Sequence, residues 1–285
     1  MASNYPTSTN TMKQANKIKK WLGILLFATL LQISYCAENS FSLLTEFPSV
    51  ETVLQFAALS SAIYSIKDCN DEMIPSDITC HHYEDDSPSR TDVMVVSSKT
   101  HKYVAVVYAG SDNINDWIRD VDIALTPFGP KDNPIEPNVK VHKGFNEAVF
   151  EYGVYDRILN AVEDVLKKHP TYKIITTGHS LGAADAVLTG AAFAKHIPDK
   201  QIVSYNFGCP RTGESAWKEY VDTIPNFGVW RYVYESDIVP RLPGLRFQHT
   251  GHTIQFYKGD AQAFYLHDGD ESLHFASVPP LWSSK

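Results

Sequence analysis

Residues 172–196 constrain this chain more than any other segment. Tyr172-Lys173-Ile174-Ile175-Thr176-Thr177 is β-branched and aromatic, as a strand is, and the run from Leu181 to about His196 is alanine-rich, as a helix is. Between them stands Gly178-His179-Ser180-Leu181-Gly182. A strand that passes into a helix through so short a link must turn sharply, and the turn has no room for side chains two positions either side of its apex. Glycine at 178 and 182 meets that demand. The apical serine then points its hydroxyl into open space. The helix that starts there aims unpaired N–H groups and a partial positive charge at whatever reacts beside it. With these flanks the pentapeptide has the strand–turn–helix context in which Gly-x-Ser-x-Gly presents a nucleophile. The bland alternative is a glycine-rich turn with no chemistry.

The rest of the chain reads as α/β. A helix is expected from about Val50 to Ile66, then strands at Val93–Ser97 and Tyr103–Tyr108. A loop containing Trp117 and several aspartates follows, from Gly110 to Asn138. A long amphipathic helix is expected from about Phe145 to His169, with Val149, Val154, Ile158, Val162, Val165 and Leu166 on one side and Pro170 as its stop. Beyond the Ala-rich helix come a strand at Ile202–Phe207, a helix near Ser215–Thr223, and strands at Val229–Tyr234 and Thr253–Tyr257. Short strands alternating with helices imply a mostly parallel central sheet covered by helices on both faces.

The first 36 residues are expected to stand apart as a secretory signal. Lys13, Lys17, Lys19 and Lys20 form a basic start, Trp21 to Ile33 is apolar, and no acid appears before Glu38. Ser34-Tyr35-Cys36 supplies small residues before a cleavage point at Ala37. The apolar stretch is short of the ~20 residues a spanning helix needs, although an uncleaved anchor is the alternative. Met12 is an alternative start. Residues 37–285 then form one domain. The leader holds four of the 25 basic residues and none of the 33 acidic ones, which leaves a formal net charge of −12 on the remaining 249 residues. That acidity argues against nucleic acid and against anionic membrane as standing partners, but not against neutral esters or a transient lipid interface.

Cys69 and Cys80 bracket a polar, turn-rich stretch, so a loop-closing disulfide is expected in an oxidising compartment. Cys209, between Phe207-Gly208 and Pro210, reads as a buried free thiol. No Asn-x-Ser/Thr sequon is present.

A nucleophilic Ser180 needs a base, and the base needs a carboxylate that fixes its tautomer. In a strand–turn–helix hydrolase the chain order is serine, acid, histidine. Asp237 lies three residues past the strand ending at Tyr234, in a loop stiffened by Pro240 and Pro243, with Glu235 as the second choice. Four histidines follow: His249, His252, His267 and His274. His249 and His252 precede a strand, and two histidines with no further placed ligand do not specify a metal site. His267 leads into Asp268-Gly269-Asp270, a solvated turn, whereas His274 stands between Leu273 and Phe275, which would anchor its ring. No metal and no cofactor is expected.

These segments together resemble the fungal class 3 lipase family, which includes filamentous-fungus triacylglycerol lipases and related feruloyl esterases. Val107-Tyr108-Ala109-Gly110-Ser111 followed by Asp116-Trp117-Ile118-Arg119-Asp120 is similar to the family's strand, oxyanion loop and lid. Val141-His142-Lys143-Gly144-Phe145 resembles a family hallmark, and Phe207 to Gly213 resembles its Gly-x-Pro-Arg-x-Gly segment. Ser236 to Pro243 resembles the acid loop, and His249-Thr250-Gly251 a structural element before a strand. The likeness runs from about Tyr103 to His274. Two positions depart or vary: Ala109 stands where the family usually has arginine, and Ala183 follows the elbow.

The resemblance implies an α/β-hydrolase fold and a triad of Ser180, Asp237 and His274. It implies an oxyanion hole made by Ser111 and the Leu181 backbone N–H. It implies hydrolysis of acylglycerol esters through an acyl-enzyme, with Ile114, Trp117, Ile118 and Val121 as the apolar stripe of a lid. Leu125-Thr126-Pro127-Phe128 is similar to the feruloyl esterases, so an aryl ester is the second substrate class. A lipase-like binding scaffold without activity is the reading from a different class. The protein is expected to act as a secreted monomer.

Overall fold

Tyr103-Val104-Ala105-Val106-Val107-Tyr108 is buried along its whole length, as only a strand covered on both faces can be. Alternate residues go to opposite faces: Val104, Val106 and Tyr108 join one core, Tyr103, Ala105 and Val107 the other. The computed structural model describes residues 48–86, 91–111, 113–119, 123–234, 237–244, 246–256 and 264–268. The expected leader, Val121 and His274 lie outside them.

The elements in chain order are α1 (Val50–Ala62), β1 (Ile78–Asp86), β2 (Thr91–Ser98), β3 (Tyr103–Tyr108), α2 (Ile114–Arg119), β4 (Leu125–Phe128) and β5 (Glu136–His142). Then come α3 (Lys143–Phe150), α4 (Val154–Lys168), β6 (Lys173–His179), α5 (Leu181–His196), β7 (Ile202–Phe207), α6 (Ser215–Asp222), β8 (Phe227–Tyr234), β9 (His252–Phe256) and β10 (Phe264–Asp268). Eight strands form one sheet in the order β1-β2-β3-β6-β7-β8-β9-β10. The strands from β3 to β9 in that order run parallel, and antiparallel pairs close both edges. The expected mostly parallel sheet is therefore present.

One face packs α4 and α5 against Val104, Val106, Ile174 and Ile202; the other packs Phe56 and Leu59 of α1, and Ile63 just past it, against Ala105, Val107, Ile175 and Val203. Helix α5 is buried continuously from Gly182 to Ala194. Its alanines and glycines let it sit close to the sheet, and a Cβ on Gly190 would approach the Phe227 ring to 2.5 Å.

The structure corrects several boundaries. The long helix expected over 145–169 is two, α3 and α4, separated by Tyr152 (φ 59°) and Gly153 (φ 74°) in left-handed conformations. Such a backbone cannot continue a right-handed helix. Helix α1 stops at Ala62, short of Ile66. The expected loop 110–138 contains a helix and the strand pair β4–β5, and that pair is antiparallel and separate from the main sheet. The edge strands β1 and β10 were not expected.

Candidate active site

Ser180 sits at the junction of β6 and α5 with φ 57° and ψ −125°. That left-handed backbone costs a non-glycine residue roughly 1–3 kcal/mol, and packing on both sides holds it there. A Cβ on Gly178 would collide with the Gly182 carbonyl, and one on Gly182 would lie 2.5 Å from the Ala109 carbonyl oxygen. The glycines expected from the sequence are thus required by backbone on backbone. The Ser180 N–H donates to the Phe207 carbonyl at 2.9 Å, which ties the turn to the end of β7. The side chain is 3% exposed, and its Oγ has no hydrogen-bond partner among the described residues.

The end of β3 runs beside this turn. A Cβ on Gly110 would stand 3.1 Å from the Ser180 Cβ, so the loop backbone passes close to the serine. Ser111 follows, and its Oγ accepts the Asn113 N–H at 3.1 Å at the entry to α2. Leu181 is the first residue of α5, where an N–H has no acceptor within its own helix. Ser111 and Leu181 therefore flank Ser180 from two different elements.

Asp237 lies past β8, and its N–H donates to the Tyr234 carbonyl at 3.1 Å. Its Oδ1 accepts the Val239 N–H at 3.1 Å, and its Oδ2 lies 3.0 Å from where a Cβ on Gly208 would be. Gly208 closes β7 with φ 62°, and the Phe207 carbonyl before it holds the Ser180 amide. The carboxylate thus borders the segment that braces the nucleophile turn. The acid loop is pinned from outside by Arg211, whose Nη1 donates to the Arg241 carbonyl and, at 3.2 Å, to that of Pro243. His249 Nε2 donates to the Pro240 carbonyl at 2.7 Å.

The histidines separate by surroundings. His249 is buried, and burial, with Arg231 and Arg211 adding to it, holds its ring well below the ordinary imidazole range. It is a neutral brace of the acid loop. His252 lies in β9 with its ring 4.8 Å from the Trp230 indole, and His267 pairs with Thr253 in the ladder of β10. His179 points behind the turn, where its Nδ1 lies 2.9 Å from the Tyr64 hydroxyl. Tyr64, just past α1, reaches the site without any signal in a motif.

In α2, Ile114 and Ile118 are half-buried, and Trp117 packs on the core with its ring 6.1 Å from that of Phe145. Cys69 and Cys80 are joined in a disulfide. The Cys209 thiol is buried and pushed up to about 12 by burial, with Asp185 adding to the rise, so it is no nucleophile at neutral pH. Among the described residues no group of three or more His, Cys, Asp or Glu side chains is placed to hold a metal ion.

This arrangement has counterparts of known kind. Residues 105–247 match the family model Lipase (class 3). The chain is 34% identical over 166 residues to a lipase of Rhizomucor miehei, a match covering 56% of this chain and 44% of that one. Over 221 residues it is 28% identical to a secreted alkaline triacylglycerol lipase of Penicillium cyclopium, covering 73% and 70%. A solved structure in which a serine protease triad forms the catalytic centre of a triacylglycerol lipase superposes with a TM-score of 0.66 at 26% identity, covering 81% of this chain and 89% of that one. The chain has the α/β-hydrolase fold. Its match spans less than half the length of the Rhizomucor sequence.

Proposed function

Because the chain belongs to the class 3 lipase family, we propose that it is a secreted serine carboxylic-ester hydrolase whose substrates are acylglycerols. The observation that carries the reading is the turn itself. Ser180 is held in a left-handed backbone, its hydroxyl without a hydrogen-bond partner among the described residues, between the Gly110-Ser111 loop and the first N–H of α5. In the proposed reaction His274 takes the Ser180 proton as Oγ attacks the ester carbonyl carbon. Asp237 orients and stabilises the imidazolium. The N–H groups of Ser111 and Leu181 receive the charge on the carbonyl oxygen, a contribution of about 3–4 kcal/mol per donor in comparable sites. The tetrahedral intermediate expels the alcohol, which takes the proton from His274. Water then repeats the sequence on the acyl-enzyme and releases the acid. The chemistry as written uses no metal and no cofactor.

One observation fits a second substrate class equally. Trp117 is packed on Phe145 and the core, which suits a fixed segment of the aryl-esterase kind as well as a closed lid. The test is a series of glycerol and p-nitrophenyl esters of increasing chain length beside methyl ferulate, with Ser180→Ala as control. Ser180→Ala is expected to lose on the order of 10⁴-fold or more in kcat with normal circular dichroism. Undiminished turnover in that variant would overturn the assignment. Methyl ferulate turning over faster than tributyrin would move the substrate to the aryl esters.

A further inference from the structure

We propose that Tyr64 is a positioning residue for this reaction, setting the loop that carries Ser111 through a chain of hydrogen bonds from Gly110 to His179. The proposal rests on the reading of the chain as a serine ester hydrolase. The Gly110 N–H donates to the Tyr64 hydroxyl at 2.9 Å. The same hydroxyl lies 2.9 Å from His179 Nδ1 and 3.5 Å from the His179 carbonyl oxygen. A phenol has one proton and two lone pairs. One lone pair takes the Gly110 N–H, and the Nδ1 and carbonyl oxygen of His179 both stand within reach of the same hydroxyl. Either way, the hydroxyl joins the residue before Ser111 to the residue before Ser180.

The surroundings are built for this contact. Ser60, one turn earlier in α1, shares a 2.9 Å hydrogen bond with Thr177 of β6, which fixes the end of α1 against the strand leading to the nucleophile. The Tyr64 and His179 rings meet edge to face at 6.0 Å. A Cβ on Gly110 would collide with the Tyr64 hydroxyl and lie 2.5 Å from the His179 carbonyl oxygen, so the loop is seated directly on the pair. Ala109, the residue before Gly110, has no polar side chain with which to brace the loop. On the far side of the ring, His179 Nε2 lies 3.7 Å, and Asp237 Oδ2 3.0 Å, from the same point above Gly208. The hydrogen bonds therefore run behind Ser180 from the Gly110 amide to His179, whose ring borders Gly208 beside the acid loop.

Its effect belongs to the transition state. The ester carbonyl binds before the oxyanion exists, and donors set a few tenths of an ångström off lose most when the charge appears. Tyr64→Phe keeps the ring and removes the hydroxyl. The experiment measures kcat and KM on a short soluble p-nitrophenyl ester, counted per serine titrated to completion with a fluorophosphonate, for the wild type, Tyr64→Phe, His179→Ala and the double variant. Thermal unfolding of each is recorded alongside.

Tyr64→Phe is expected to lower kcat roughly 10- to 100-fold, with KM within about twofold of wild type. The double variant is expected to lose no more than the worse single one, because both act through one chain. A Tyr64→Phe enzyme with wild-type kcat overturns the proposal. A loss carried by KM or by fewer titratable serines overturns it too, as does a double variant whose losses multiply. A wild type inert to every ester and to the fluorophosphonate overturns the hydrolase reading and this proposal together. An active wild type with an unaffected Tyr64→Phe overturns this proposal alone.

Discussion

Gly208→Ala is the substitution whose cost divides most cleanly between fold and chemistry. Gly208 has φ 62°, and alanine in that region costs about 1–2 kcal/mol. Part of this is offset, by about 0.4–1 kcal/mol, because alanine narrows the unfolded ensemble. The net loss is about 1 kcal/mol, a fall of roughly 2–4 °C in Tm for a domain of this size. The new methyl would also stand 3.0 Å from Asp237 Oδ2, against an ordinary contact nearer 3.5 Å, so the carboxylate must retreat by about 0.5 Å. Its other oxygen is tethered to the Val239 N–H, so the carboxylate cannot retreat without disturbing that bond. If a displacement of about 1 Å costs ~10²-fold, half of it predicts a kcat about tenfold lower. The assay pairs calorimetric Tm with kcat on a soluble p-nitrophenyl ester. Gly244→Ala, on the acid loop and with nothing within 4 Å of the added methyl, serves as control and should leave kcat unchanged without lowering Tm. A lower Tm with unchanged kcat would show that the Asp237 carboxylate does not serve the reaction from this position.

The buried polar groups give two more expectations. Burial pushes the Asp185 carboxyl well above the ordinary carboxylate range, and its Oδ1 has no hydrogen-bond partner among the described residues, so the folded protein retains a proton that the unfolded chain releases near pH 4. Stability should therefore fall as pH rises from there toward the raised folded value. Urea midpoints of Asp185→Asn across pH should lack this part of the slope; identical slopes would refute it. Cys209, with its thiol raised to about 12, should resist iodoacetamide at pH 8 in the folded state and react promptly in denaturant, as counted by mass spectrometry; fast native labelling would contradict its placement.

The sequence was most readable where several local demands coincide. Around Ser180 the strand composition, two glycines and a small-residue helix all fall within twenty-five positions, and each is required by a contact now visible. The place of Asp237 just past β8 was legible from the strand before it and the prolines after it. The hairpin of β4 and β5 was not, because Pro127 and Pro137 remove amide donors and mask the usual strand signal. The break at Tyr152-Gly153 was hidden by apolar spacing that continues across it, since a lone glycine is tolerated in a helix. Tyr64 left no signal at all. It is 46 residues from Gly110 and 115 from His179, and nothing but the packing of α1 on the sheet brings the three together.

Helix α5 has a consequence for how such a protein ages and diversifies. Walled in from Gly182 to Ala194, it has no free side on which a substitution goes unnoticed. Drift in this stretch is confined to side chains of nearly the same volume. The nucleophile is therefore the part of the site that evolution can least afford to retune. New substrate preferences have to be written in the surrounding loops, where Ile123 and Ile238 already face solvent. The same confinement means that Ser180 loses its geometry only when the core itself opens. On heating, the last molecules to lose activity should then be the last still folded.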